Sequence, residues 1–570
     1  MSISSHSFHI PVMGIGYTLD TPIKVAKYGI SSVISIVQDD VIEKARKYYS
    51  HINKLPYEPI HKKDAAYRPK RITAYLNLVK HLVNQSFEQL KRDPLPLRKY
   101  TRMLPGNSNV EDLQEHLNEL KAGSIDVNIM TKLDRQPSSD EGVYTDACAS
   151  LKGYAESDLD SCLVLSAGIN PRLFAYMEEF RDFFPDEAGH IKKRIIVKVS
   201  DFRSAAIQGK MLAKKGLWVS EYRLESGLNC GGHTFATDGL LMGPILEEFK
   251  LHRDELLAEQ ELICKEVWKA LGHTHSQLLV QKLTVQGGLG TSNERLLLED
   301  FYGVDGTGWG SPFLLVPEAT SIDHETLAVL TKAGEKDIYN SDVSPLGVSF
   351  STVRGTSGDR MKNERISADK PGSPCHWKHL AMDTSYKAAG VCVASSSYQK
   401  RKIQELKAQN LSQEAYDASF ARITEKECLC DGLAVSFLKK FDLMDASNFD
   451  GVSVCPGPNL AYFDRTYSLE EMVEHIYGKQ DILEKDRPHV FLKELGLYMT
   501  YYEKLKNRMG DEAGPRKQKQ LTKFRENLLS GISYYSMLAL TLSDAERAEF
   551  EKTLKDYSDQ LETYAILSLS

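Results

Sequence analysis

Lys282-Leu-Thr-Val-Gln-Gly-Gly-Leu-Gly-Thr291 runs an apolar, β-branched segment into a glycine turn, and Val304-Asp-Gly-Thr-Gly-Trp-Gly-Ser311 repeats the arrangement shortly afterwards. Each turn is followed by a segment that reads as the start of a helix. Glycine lets a backbone approach a phosphate closely, and a helix N-terminus turns free N–H groups toward one. In a closed (β/α)8 barrel the loops after the last two strands are the usual phosphate site. The pair therefore favours a closed α/β TIM barrel over an open sheet. It marks Gly287, Gly288, Gly290, Gly310 and Ser311 as candidate phosphate contacts, with Gln286 just before the first turn.

Outward from these turns the chain alternates strand and helix. Ile10–Gly16 and the β-branched Ser31–Val37 read as strands joined by a short helix, Ile23–Tyr28, which Thr21-Pro22 opens and Gly29 stops. Further strands are expected at Ile125–Met130, Cys162–Ser166, Arg194–Ser200 and Leu217–Leu224, with helices at Ser204–Lys215, Gly239–Lys269 (with a break) and Asn293–Phe301. Two charged periodic stretches, Val41–Ile52 and Arg71–Arg92, form a helical insertion at about 40–93, fit to be a lid or a dimer surface, and Pro94–Pro105 reads as a linker. The expected division is a barrel over 1–356, a cysteine-containing extension packing on it over 357–487, and a largely helical C-terminal segment over 488–570. Within these, Ser357–Pro374 reads as loop, Phe491–Tyr502 as an aromatic packing face, and Arg516–Lys519 as a solvated break.

Hydrophobic residues make up 42% of the 570 residues and charged residues 26%, values of a folded globular chain. A net charge of −7 argues against a broad nucleic-acid-binding surface. No apolar run is long enough to span a membrane, and Met1–Ile10 lacks the basic start and apolar core of a secretory signal. Nine cysteines, an odd and sparse set, point to a reducing, cytoplasmic setting rather than a disulfide framework.

Val304-Asp-Gly-Thr-Gly-Trp-Gly-Ser-Pro-Phe-Leu-Leu-Val-Pro-Glu-Ala319 resembles the nitronate monooxygenase (2-nitropropane dioxygenase) family, whose flavin barrel is shared with the FMN-dependent enoyl-ACP reductases. Val285–Leu289 resembles that family's preceding glycine turn, and Pro11-Val-Met-Gly14 its first-strand motif. The resemblance implies FMN, with its phosphate on Gly288, Gly290, Gly310 and Ser311, and flavin contacts from Met13 and Gly14. Glu225-Ser-Gly-Leu-Asn-Cys-Gly-Gly-His233 resembles the family's Glu-(Ala/Ser)-Gly-Gly-His, with four extra residues before Gly232-His233. It implies that His233 is a general base on a carbon acid, a role that suits an imidazole titrating near operating pH, or lies beside flavin and substrate. Cys230, inside the extra residues, reads as a thiol near the flavin or as a buried spectator.

Lys198 stands in the otherwise apolar Ile-Ile-Val-Lys-Val and needs a partner if buried. In a flavin barrel that partner is the ring edge where negative charge gathers on reduction; otherwise the lysine snorkels out at the strand end. Cys375, Cys428, Cys430 and Cys455 all follow the barrel, two as a Cys-Leu-Cys pair and one before proline, and are candidate ligands of a [4Fe–4S] cluster, of zinc, or of nothing. Cys148, Cys162, Cys264 and Cys392 read as structural. The expected activity is oxidation of a small activated carbon acid by an FMN oxidoreductase. The alternatives are an NAD(P)H-dependent reductase of an activated double bond and a non-catalytic flavin or iron–sulfur carrier. A small-molecule substrate and NAD(P)H or another electron donor are the expected partners; the substrate's identity and the oligomeric state stay open.

Overall fold

The structure is a computed structural model that describes residues 6–105, 117, 119–131, 134–135, 144–166, 168–229, 231–234, 237–272, 279–375, 378–445, 449–483, 486–509 and 514–567. Eight parallel strands close into a barrel in chain order: β1 (Phe8–Ile10), β2 (Ser31–Ser35), β3 (Ile125–Ile129), β4 (Ser161–Leu165), β5 (Lys193–Val199), β6 (Val219–Glu225), β7 (Lys282–Gln286) and β8 (Gly306–Gly308). Closure is made by Phe8 and His9 of β1 against Thr307 and Gly308 of β8. The (β/α)8 expectation holds; the first strand, expected at Ile10–Gly16, lies instead at Phe8–Ile10, and the other expected strands are present within a few residues of their expected ends.

Strand alternation sorts the residues of the barrel into inside and outside. Val33, Val164 and Ile196 form a small apolar cluster of their own, apart from the large core that the outward faces share with the helices. One step of two residues further along the strands, toward their C-terminal ends, stand Ser35, Ser166 and Lys198. The barrel therefore carries an apolar plug with a polar layer above it.

The insertion between β2 and β3 contains the helices Asp39–Ile52, Tyr67–Arg92 and Pro94–Met103. The last corrects the expected linker: Pro94 sits in the first turn, where a missing N–H costs nothing, and the Asp93 carboxylate accepts from Leu95 N at 3.0 Å. The helix Met242–Ala270 runs without the expected break. Ser357–Ser367 is a helix rather than a loop, capped by Thr356 Oγ1 accepting from Asp359 N at 3.2 Å. Arg516–Lys519 belongs to the exposed opening of the helix Pro515–Leu538, not to a loop.

After β8 comes an antiparallel pair, β9 (Ile338–Ser341) with β10 (Phe350–Val353), which the sequence reading did not contain. The insertion packs on the residues after the barrel: Gln38 Nε2 donates to Cys430 O, Lys44 Nζ donates to Leu443 O at 2.8 Å, and the Tyr48 and Phe441 rings lie 4.5 Å apart. Among the described residues no helix is long and apolar enough to cross a membrane.

Candidate active site

A cavity of about 220 Å³ opens at the C-terminal ends of the strands, and all eight contribute to its wall through the residues at or just past their ends. Ser35, Asn128, Ser166, Lys198, Glu225, Gln286 and Gly308 are the inward residues at the tops of β2 to β8, and Pro11–Ile15 follow β1. The other side is built by residues after the barrel, among them Leu346, Phe350, His379, Leu380, Leu429, Cys430, Leu433 and Cys455.

The floor is a chain of polar contacts between neighbouring strands. Lys198 Nζ lies 2.8 Å from Glu225 Oε2, and Gln286 Nε2 donates to Glu225 Oε1 at 2.7 Å. His9 Nε2 is 3.4 Å from Gln286 Oε1. Burial, reinforced by the nearby Arg223 charge, holds the His9 pKa well below the usual imidazole value, so the ring is neutral and donates through Nε2. Lys198 thus lines the cavity and does not snorkel to bulk solvent; its charge is paired across β5 and β6 with a residue to which the sequence reading assigned no role.

The two glycine turns form the wall beside β7 and β8. Gly287 and Gly288 have φ of 98° and 78°, the left-handed region that a side chain resists. A Cβ on Gly288 would stand 2.8 Å from Asn229 Cγ. The N–H groups of Gly288, Leu289, Gly310 and Ser311 have no acceptor among the described residues. Ser311 Oγ accepts from Gly457 N at 2.6 Å, which leaves its own proton to donate. Asn229 is buried at the cavity wall, and neither its amide nitrogen nor its amide oxygen has a partner among the described residues. Unspent backbone donors and the Asn229 amide N–H at one end of a cleft are what a bound phosphate ester would satisfy, so the residues present fit FMN.

Gly290 stands apart from this set. Its N–H donates to Glu294 Oε2 at 2.8 Å within a capping box opened by Thr291, and a Cβ on it would meet Arg487 Nε at 2.5 Å. Arg487 also donates to Gly288 O and pairs with Glu294 Oε1 at 2.5 Å. Burial alone would raise the Glu294 pKa, and the Arg487 charge outweighs it and holds the carboxyl below the usual range.

Met13, Gly14, Gly232 and His233 line the cavity. The loop after β6 is pinned to β10, with Ser351 N donating to Gly232 O at 2.9 Å and Thr234 N to Ser349 O at 2.9 Å. His233 Nε2 lies 2.7 Å from Ser344 Oγ, and its ring meets Phe350 edge to face at 5.0 Å. Cys230 lies outside the described residues.

Of the four cysteines proposed as ligands, Cys375, Cys428 and Cys430 lie near one another, and Cys455 stands apart from them. Cys455 Sγ lies 3.8 Å from Met13 O at the cavity, whereas the Cys375 thiol hydrogen-bonds that of Cys392, and Cys428 Sγ is 3.3 Å from Asp431 Oδ2. Burial pushes the Cys430 and Cys455 thiols up to about 12, keeping them protonated. Among the described residues no group of three or more histidine, cysteine or carboxylate side chains is arranged to hold a metal, and this donor set does not fit a cluster.

No family model matches the chain, and no curated protein does. Solved structures similar to it include the enoyl reductase domain of MlnA from the macrolactin biosynthesis cluster of Bacillus amyloliquefaciens, at 13% identity and a TM-score of 0.40, covering 83% of this chain and 94% of that one. FabK from Thermotoga maritima matches at 12% identity and 0.37, covering 88% and 96%. A nitroalkane oxidase from Streptomyces ansochromogenes matches at 9% and 0.35, covering 84% and 96%. Likeness at this level carries no argument about chemistry.

Proposed function

We propose that this chain is an FMN-dependent oxidoreductase acting at a carbon activated by a neighbouring electron-withdrawing group, as in the nitronate monooxygenases its glycine motifs resemble. The observation that carries the reading is the set of unspent donors at the mouth of β7 and β8: four backbone N–H groups and the Asn229 amide N–H, facing one cavity. Gly288, Leu289, Gly310 and Ser311 would hold the phosphate, and Met13 and Gly14 would border the ring. When bound, FMN supplies a two-electron acceptor and donor beside the substrate. Lys198 offers a positive charge to the cavity, moderated by Glu225, where negative charge would otherwise be costly in a buried site. His233 borders the same space and is positioned by Ser344 to orient a substrate there.

A second reading, NAD(P)H-dependent reduction of an activated double bond, draws support from the wall supplied after the barrel. Leu346, Phe350, Leu380, Leu429 and Leu433 make that side apolar, which suits an acyl chain better than a small nitro compound. The test is the visible spectrum of the purified protein, with the flavin released and quantified. Stoichiometric FMN is expected, and a protein that neither carries nor takes up flavin overturns the proposal. Anaerobic bleaching by NADPH without a nitronate favours the reductase; bleaching by a nitronate alone favours the monooxygenase.

A further inference from the structure

His379 lies after the barrel, in a segment that no sequence motif marks, yet it is buried and lines the cavity. Its Nδ1 is 3.1 Å from Asp146 Oδ2, although the two residues stand 233 positions apart in the chain. Asp146 opens the helix Asp146–Ala155 that follows β3. Its Oδ1 pairs with Arg68 of the helix Tyr67–Arg92, and Arg135 Nε lies 3.6 Å from the same Oδ2 that meets His379. Arg68 in turn meets Asp39 Oδ1 at 3.1 Å, and Asp39 Oδ2 lies 2.8 Å from Arg71. Cys430, from the helix Leu429–Lys440, faces the His379 backbone.

Burial would raise the Asp146 pKa, but the His379 hydrogen bond and the Arg68 charge together hold it well below the usual carboxylate range. An ionised carboxylate at Nδ1 fixes that nitrogen as the N–H and leaves Nε2 to exchange protons. Nε2 has no partner among the described residues. A histidine that only tied the residues after the barrel to the helix after β3 would be expected to spend both ring nitrogens on protein groups.

We propose that His379, oriented by Asp146, is the residue that exchanges a proton with the substrate carbon. In this step neutral Nε2 takes the proton from the carbon beside the electron-withdrawing group. The C–H bond breaks and an N–H bond forms, the electron pair stays on the substrate as a delocalised carbanion, and the imidazolium is balanced by Asp146. A reductase runs the same transfer in reverse. The proposal rests on the carbon-acid reading above, and its test separates the two.

Wild type, His379→Asn, His379→Gln, Asp146→Asn and Asp146→Glu are compared at matched flavin content. Loss of the α-proton signal of nitroethane in D2O is followed by NMR, across pH. His379→Asn is expected to lose roughly a hundredfold or more of the exchange rate while keeping the wild-type flavin spectrum. Asp146→Asn is expected to lose less, and Asp146→Glu, which keeps the carboxylate, to recover part of that loss. His379→Gln, a second replacement without the imidazole, serves if the asparagine variant misfolds. Undiminished exchange in a folded His379 variant overturns the proposal alone, whereas a wild type that exchanges none of the probe overturns the carbon-acid reading and the proposal with it. Absence of flavin from the wild type overturns the FMN reading alone.

Discussion

Lys198 and Ile196 occupy the same face of β5 two positions apart, so the alternation that sends Ile196 into the barrel plug delivers Lys198 to the cavity floor. Lys198→Met should strand Glu225 there and lower kcat/KM by roughly a hundredfold, the usual loss for one electrostatic contact to a reacting group, which steady-state kinetics will read. Gly288→Ala adds a Cβ at a φ of 78° and 2.8 Å from Asn229. It is expected to cost about 1 kcal/mol of stability from the backbone alone and to weaken FMN binding, measurable by urea unfolding and flavin titration. Gln286, Gly287, Gly288, Gly310 and Ser311 were legible as glycine turns after strands, Lys198 as a charge in an apolar strand, and His233 through the family resemblance of its segment. Asn229, Glu225 and His379 were not, since their significance lies in what reaches them from elsewhere in the chain.

At the scale of elements, the turn after β7 is braced from outside the barrel. Arg487 fills the space over Gly290 and pairs with the buried Glu294, whose second oxygen caps the following helix. Arg487→Met would leave that carboxylate uncompensated and is expected to destabilise the fold by about 3–5 kcal/mol, seen as an earlier denaturant midpoint. The same turn then loses its support against the cavity, so flavin affinity should fall with stability. Helix positions were read well where periodicity was long, as in Tyr67–Arg92, and misread at Pro94–Met103 and Ser357–Ser367. Proline and charge were taken there as breaks, whereas Asp93 and Thr356 act as N-caps and proline sits where helices tolerate it.

At the scale of the whole molecule, the C-terminal helices lock onto β6 through one buried carboxylate. Glu494 Oε1 accepts from Ser226 Oγ, and Oε2 accepts from Met242 N at 2.8 Å. Burial raises its pKa from 4.5 to about 7. Because the folded value lies above the unfolded one, its contribution to stability is complete below about pH 4.5 and is lost as pH rises to about 7, a change of about 3 kcal/mol. Glu494→Gln should remove this slope and unfold later than wild type at pH 8, as thermal melts across pH will record. The barrel and its glycine turns were determined by the sequence itself, because period-two alternation, β-branching and glycine placement act between near neighbours. The cavity's far wall, the Asp146–His379 pair and the separation of Cys455 from the other cysteines were decided only by tertiary structure. Those depend on which distant segments the closed barrel brings over its open end, and no local pattern records that.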